Sequence, residues 1–169
     1  MTTLSAPKVT ARRWWTWPLL FVSFPLSGLA ASLLLGPMNS VPIALAGGAL
    51  VGLALGATQS LALGTRASRW IPATVLGLAV GTALAVMFPV VGPVLQGLAL
   101  GAVQVFVRPP LHPAIWAAVV TAAWSAAWAI SWVVAISDEP GFVVFGASGA
   151  LLFTLVMFAA TLIAKRSAR

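Results

Sequence analysis

The sequence has no cysteine and few acidic or imidazole groups. Without cysteine the chain forms no disulfide, thiolate metal site, iron–sulfur cluster or cysteine nucleophile. Its only acids are the adjacent Asp138 and Glu139, and His112 is its single histidine. These groups are too few for a metal site with three or four protein ligands. We therefore predict neither a metal nor a cofactor.

Charge of either sign is also scarce. Charged residues make up 7% of the 169 residues and hydrophobic ones 61%, whereas about 25% of an ordinary globular protein is charged. Apolar runs of about 20 residues recur, and each is long enough as a helix to cross a hydrocarbon core of about 30 Å. The net charge of +7 comes from cations that flank these runs without forming a continuous basic face. We thus predict the lipid bilayer, and no nucleic acid, as the partner of this surface.

The apolar runs predict an all-α integral membrane bundle of six transmembrane helices. Between them lie short segments with charge, proline or glycine. The predicted spans are 17–35, 41–63, 71–88, 90–107, 114–136 and 142–164. Residues 1–16 and 165–169 are predicted to be basic cytoplasmic segments.

The positions of the charged residues predict the orientation. Cations fall before span one, between spans two and three, between spans four and five, and after span six: Lys8, Arg12, Arg13, Arg66, Arg69, Arg108, Lys165, Arg166 and Arg169. The opposite side receives Asp138 and Glu139. Cytoplasmic loops are rich in Lys and Arg, so we expect both termini in the cytoplasm of a bacterial inner membrane. A cleaved signal peptide ending near 28–30 is the alternative for span one, and it would leave five spans.

The sequence contains an internal repeat. Residues 52–59, GLALGATQ, reappear at 97–104 as GLALGAVQ, with seven of eight positions identical at an offset of 45. Trp70 opens span three and Trp116 opens span five in the same way. We interpret spans 2–3 and 4–5 as a duplicated two-helix unit. Because both copies cross the membrane in the same direction, the pattern gives little support to alternating-access transport, for which inverted repeats are the commoner sign.

Glycines follow one side of several spans at intervals of four residues. Such spacing lets helix backbones approach closely in a membrane, within one chain or between chains. A lining for a ligand or a permeation path is the alternative interpretation. The predicted packing positions are Gly48, Gly52, Gly56, Gly77, Gly81, Gly97 and Gly101.

Gln59 and Gln104 place primary amides inside apolar spans, where unmet hydrogen-bonding groups are costly. They either bond neighbouring helices or line a pseudo-symmetric polar site. Trp124 and Trp128 lie deep in span five, with Trp132 on the same side, and either pack against glycine faces and lipid or form a platform for an apolar ligand. The remaining tryptophans, near the basic boundary, are predicted to form an interfacial belt with hydrated N–H groups. They are Trp14, Trp15, Trp17, Trp70 and Trp116.

One enzyme motif needs separate treatment. Residues 146–149, GASG, resemble the serine motif of rhomboid proteases, in which Ser148 would be the nucleophile. Those enzymes take their histidine base from a later helix, but His112 precedes Ser148 and is predicted at the opposite membrane edge. No Asp, Glu, Lys, Arg or His falls within a predicted span, so proton relays and voltage sensors also lack their usual groups. We predict that the protein is not an enzyme.

The chain as a whole resembles small uncharacterised bacterial polytopic membrane proteins built from Gly-x-x-x-Gly-x-x-Gln helices, here at 52–59 and 97–104. That resemblance implies no activity. We expect a non-enzymatic structural or accessory component that packs with itself, as a homo-oligomer, or with another membrane protein through its glycine-rich faces. The alternative is a transporter or binding protein for a small neutral or lipophilic solute.

Overall fold

A computed structural model describes residues 14–107, 109–134 and 147–167. These residues form helices and no strand. The α-helices are α1 (Thr16–Leu35), α2 (Val41–Leu63), α3 (Ala67–Met87), α4 (Gly92–Gln104), α5 (Pro113–Val134) and α6 (Ala147–Ser167), and a 3₁₀ turn, Val105–Val107, extends α4. All the α-helices except α4 are long and apolar enough to cross a membrane. The predicted all-α membrane architecture is confirmed at this level.

Two helix starts differ from the predicted boundaries. α3 begins at Ala67 instead of 71, because Arg66 caps it in an extended conformation and helical hydrogen bonding starts before the apolar run. α4 begins at Gly92 instead of 90, after a turn in which Gly92 N–H donates to Pro89 O at 3.4 Å. Pro93 fits there because the first helical turn does not need its N–H. The hydropathy pattern reflects which residues lie in the bilayer, whereas local hydrogen bonding decides where each helix begins.

The helices form a ring in chain order. Each described helix packs against its neighbours in the chain, and α1 also packs against α6. Aromatic side chains meet inside the ring, where Phe24 of α1 and Trp124 of α5 both contact Phe153 of α6, with ring centroids 5.5 and 5.4 Å apart. Outward positions such as Leu33 and Leu53 are exposed and apolar. The surface suits lipid, and the interior is filled by side chains.

The described cations lie at one end of the ring. Arg66 and Arg69 share a cavity with Pro110, and Pro110 shares a second cavity with Ala164, which directly precedes Lys165. We call this end the basic end. Other charged residues that entered the orientation argument lie outside the described residues, namely Lys8, Arg12, Arg13, Arg108, Asp138, Glu139 and Arg169.

Candidate functional site

The glycines of α2 lie against the backbone of α3. A Cβ built on Gly52 would lie 2.6 Å from Val75 Cα, and one on Gly56 would lie 3.0 Å from Ile71 Cα. A Cβ built on Gly48 would likewise meet the backbone carbonyl of Leu78. Contacts this short leave no room for a side chain, so α2 and α3 touch through their main chains.

The same arrangement continues around the ring. In α3, a Cβ on Gly77 would lie 2.8 Å from Leu100 Cα, and one on Gly81 would lie 2.9 Å from Gln96 Cα, both in α4. In α4, Gly97 faces Trp124 and Thr121 of α5, and Gly101 faces Ala117 of α5. Each of α2, α3 and α4 therefore presents its predicted packing glycines to the helix that follows it, whereas Gly92, at the start of α4, faces Ala85 of α3. All seven predicted packing positions are occupied within the chain.

Gln104 of α4, the last residue of the second repeat, makes side-chain hydrogen bonds to α2, α3 and α5. Its Nε2 donates to Gln59 Oε1 of α2 at 3.2 Å and to Thr74 Oγ1 of α3 at 3.1 Å. Its Oε1 accepts from Trp116 Nε1 of α5 at 3.1 Å. Gln59 Oε1 also accepts from Trp70 Nε1 at 3.1 Å. The two amides that the sequence singled out are thus in direct contact.

Gln96 forms a second polar cluster on α4. Its Nε2 donates to Thr82 Oγ1 of α3 at 2.9 Å. Its Oε1 accepts from two indoles of α5, Trp124 Nε1 at 3.0 Å and Trp128 Nε1 at 3.1 Å. Trp124 and Trp128 lie one helical turn apart, which lets both reach a single carbonyl.

The two polar clusters are related by the antiparallel packing of α4 against α3 and α5. Gln96 and Gln104 are eight residues apart, about 12 Å along α4, and so lie on one side of the helix. Their threonine partners on α3 and their tryptophan partners on α5 shift by the same eight residues in the opposite direction: Thr82 and Thr74, Trp124 and Trp116. We call this arrangement the Thr–Gln–Trp ladder. It cross-links α3, α4 and α5 at two depths.

Hydrogen bonds within the chain engage the carbonyl oxygens of all three interior glutamines and the amide nitrogens of Gln96 and Gln104. Among the described residues, the buried side-chain atoms without a partner are the hydroxyls of Thr65, Ser131 and Thr154, and no glutamine atom is in that group. Gln59, Gln96, Gln104 and Trp124 are buried, and neither of the two cavities at the basic end is lined by a glutamine. The candidate polar site is therefore occupied by its own indoles and threonines.

Three tryptophans of the predicted interfacial belt are buried. Trp70 and Trp116 are 0% and 1% exposed, and their rings meet edge to face with centroids 5.7 Å apart. Trp17 is also buried and packs edge to face on Phe158. The prediction of hydrated N–H groups is wrong for Trp70 and Trp116, because glutamine carbonyls replace water as their acceptors. Trp14 and Trp15 are exposed.

Gln96, Thr74 and Thr82 were not predicted from the sequence to belong to the polar interior. Gln96 lies just before the repeated octapeptide of residues 97–104, so the repeat does not include it. The signal that identifies them is the common spacing of eight residues within the Thr, Gln and Trp pairs of three successive helices. That pattern requires both the antiparallel pairing and its register to be known.

Ser148 and His112 do not meet. His112 lines a cavity with Ile163 and Ala164 at the last turns of α6, whereas Ser148 lies at the first turn of α6. Sixteen residues of helix, about 24 Å, separate Ser148 from Ala164. The two groups are too far apart for proton transfer.

Comparisons with models of known protein families, with curated proteins and with solved structures gave no match for this chain.

Proposed function

We propose that this protein is a non-enzymatic component of the bacterial cytoplasmic membrane, a compact bundle that acts as a structural or accessory subunit. The observation that carries the proposal is the Thr–Gln–Trp ladder. Its amides are the groups that a polar solute would use, and they are engaged by side chains of the same chain. An interior built in this way suits a rigid part of an assembly.

The proposal includes six membrane crossings, with α4 as the fourth. α4 has 13 residues and the 3₁₀ turn adds 3, which gives a length of about 25 Å, close to the thickness of the hydrocarbon core. Its flanking helices α3 and α5 both pack against it. With α4 crossing, the basic end faces the cytoplasm together with both termini.

The proposal also includes a duplicated two-helix unit, α2–α3 and α4–α5. Gln59 accepts from Trp70 at the start of α3, and Gln104 accepts from Trp116 at the start of α5, with both distances 3.1 Å. An equivalent glutamine–tryptophan hydrogen bond thus links the two helices of each copy. This equivalence supports duplication independently of the glycine spacing.

We infer that association with a second copy or another membrane protein uses a surface other than the glycine faces, since α3, α4 and α5 already cover those. The side of α5 that carries Trp124, Trp128 and Trp132 remains a candidate surface for this association only at the end of the helix farthest from the basic end. There Trp128 is half-buried and Trp132 is 59% exposed, with ring centroids 6.0 Å apart. Trp132 is the side chain of this pair that a partner would contact most fully.

Purification from the native membrane in lipid nanodiscs tests this proposal. Mass spectrometry would measure the proteins and small molecules that accompany the wild type, Trp132→Ala and the double variant Gln59→Leu/Gln104→Leu. Trp14→Ala is the matched control, because Trp14 is exposed at the other end of the bundle. We expect Trp132→Ala to lose a protein partner or the second copy, while Trp14→Ala keeps it.

The solute-binding alternative gives a different result in the same experiment. A small molecule that accompanies the wild type and is lost from the folded glutamine variant would favour a transporter or binding protein and contradict our proposal. Size-exclusion chromatography of each variant shows whether it is folded before the comparison is made.

A further inference from the structure

The basic end of the bundle holds a polar cavity that the proposed function does not use. It has a volume of about 320 Å³ and is lined by Thr65, Arg66, Arg69, Val107 and Pro110, among others. Both arginines are exposed. The acids of the chain, Asp138 and Glu139, lie outside the described residues, so no described acidic side chain neutralises these guanidinium groups.

Thr65 adds an unused hydrogen-bonding group to the cavity. Its Oγ1 is buried and has no hydrogen-bond partner, although its backbone N–H donates to Ser60 O at 3.1 Å. The preceding Gly64 has a φ of 71°, a left-handed conformation that ends α2 and turns the chain toward α3. An unpaired buried hydroxyl is costly, and a bound acceptor would relieve that cost.

The start of α3 contributes a third favourable element for an anion. α3 begins at Ala67, directly after Arg66, and no side chain caps its first N–H groups. A helix N-terminus carries a partial positive charge. The cavity thus combines two guanidinium groups, one hydroxyl and a helix start, a donor set that matches the oxygen atoms of a phosphate.

A larger apolar cavity adjoins the polar one. It has a volume of about 620 Å³, lies between α5 and α6, and shares Pro110 with the polar cavity. Ile115 and Val119 of α5 form one wall, and Val156 and Ile163 of α6 form the other. Ile115 and Ile163 are exposed on the apolar surface. An aliphatic chain could therefore enter the cleft from the bilayer.

We propose that these neighbouring cavities, which share Pro110, bind one anionic phospholipid, with its phosphate at Thr65, Arg66 and Arg69 and an acyl chain in the α5–α6 cleft. The polar cavity alone would also accept free phosphate. The adjoining apolar cleft favours the lipid, because it offers a place for the hydrocarbon that is attached to the phosphate. Arginine near the surface of a membrane is attracted to anionic lipid, and a basic pocket at the ends of helices makes that attraction specific.

For the test, the full chain is reconstituted in nanodiscs made from equal parts of phosphatidylglycerol and phosphatidylcholine and then transferred to detergent. Native mass spectrometry measures the lipid that remains bound. Arg66→Gln/Arg69→Gln removes the phosphate ligands. Lys165→Gln/Arg166→Gln removes the same charge from the same end, outside the cavity. Ala159→Phe fills the apolar cleft from its exposed side, and Ala122→Phe adds the same ring at an exposed position of α5 outside the cleft.

We expect the wild type to retain phosphatidylglycerol in preference to phosphatidylcholine. The Arg66/Arg69 variant should lower that retention about tenfold, and Ala159→Phe should lower it also, while both controls resemble the wild type. Equal losses in the Arg66/Arg69 and Lys165/Arg166 variants would overturn the site in favour of general surface charge. Displacement of the lipid by inorganic phosphate, with no effect of Ala159→Phe, would overturn the lipid as the occupant.

Discussion

The amide of Gln104 contacts side chains from three other helices, and its removal should have a measurable cost. Gln104→Leu leaves the Trp116 indole N–H without its acceptor, and the Thr74 hydroxyl keeps only its bond to Trp70 O. Interhelical hydrogen bonds in membranes contribute about 0.6 to 2 kcal/mol each. We expect Gln104→Leu to lower the free energy of unfolding by about 2 kcal/mol, measured by equilibrium unfolding in mixed detergent micelles.

A double-mutant cycle separates this bond from general packing. Trp116→Phe keeps most of the aromatic surface and removes the donor. The coupling energy between Gln104→Leu and Trp116→Phe should be about 0.6 to 2 kcal/mol. Additive effects of the two substitutions would show that the bond contributes nothing to stability.

Burial of Trp70 and Trp116 gives a second prediction at the scale of residues. Iodide in water should quench the emission of Trp14 and Trp15, which are exposed, and should not reach Trp70 or Trp116. Trp14→Phe/Trp15→Phe should therefore reduce the iodide-quenchable fraction, and Trp70→Phe/Trp116→Phe should leave the quenchable signal unchanged. A drop in that signal in the second pair would place those indoles at the membrane surface.

At the scale of elements, the glycine faces set the distance between neighbouring helices. A Cβ on Gly52 would meet Val75 Cα at 2.6 Å, and this contact is with backbone that cannot rotate away. Gly52→Leu should destabilise the protein by about 3 kcal/mol or prevent folding. Thermal unfolding in detergent measures the effect.

Ala46→Leu is the control for that substitution, because Ala46 is exposed on the same helix. It adds comparable apolar bulk toward lipid and should leave the unfolding temperature near that of the wild type. Equal unfolding temperatures for Gly52→Leu and the wild type would contradict close packing of α2 on α3.

The existence and order of the helices could be predicted from the sequence, because apolar runs of sufficient length can only be helical in lipid. The glycine spacing also identified which sides approach other backbones. The sequence could not show that the partner of each glycine face is the next helix of the same chain. That choice depends on the ring arrangement, in which α1 meets α6 and each helix contacts its chain neighbours.

The polar interior was predictable only in part. Gln59 and Gln104 were recognisable from the repeat, and the structure brings them within 3.2 Å of each other. Trp70 and Trp116 were assigned to the interface because tryptophan is common there. Their burial depends on a glutamine carbonyl being within reach, and the register between α4 and α5 decides that.

At the scale of the whole molecule, the proposed six-span topology depends on α4 crossing the membrane. α4 is the short helix of the bundle, and its Gln96 and Gln104 hold the ladder together. If α4 did not cross, the segments before and after it would lie in one compartment. The cations of the basic end would then no longer all lie on one side of the membrane.

The absence of cysteine makes a direct measurement possible. Single cysteines at Val90, which is 92% exposed before α4, and at His112, before α5, can be labelled with a membrane-impermeant maleimide in spheroplasts and in inverted vesicles. With α4 crossing the membrane, we expect Val90→Cys to be labelled only in spheroplasts and His112→Cys only in inverted vesicles. Labelling of both positions from the same side would contradict that crossing.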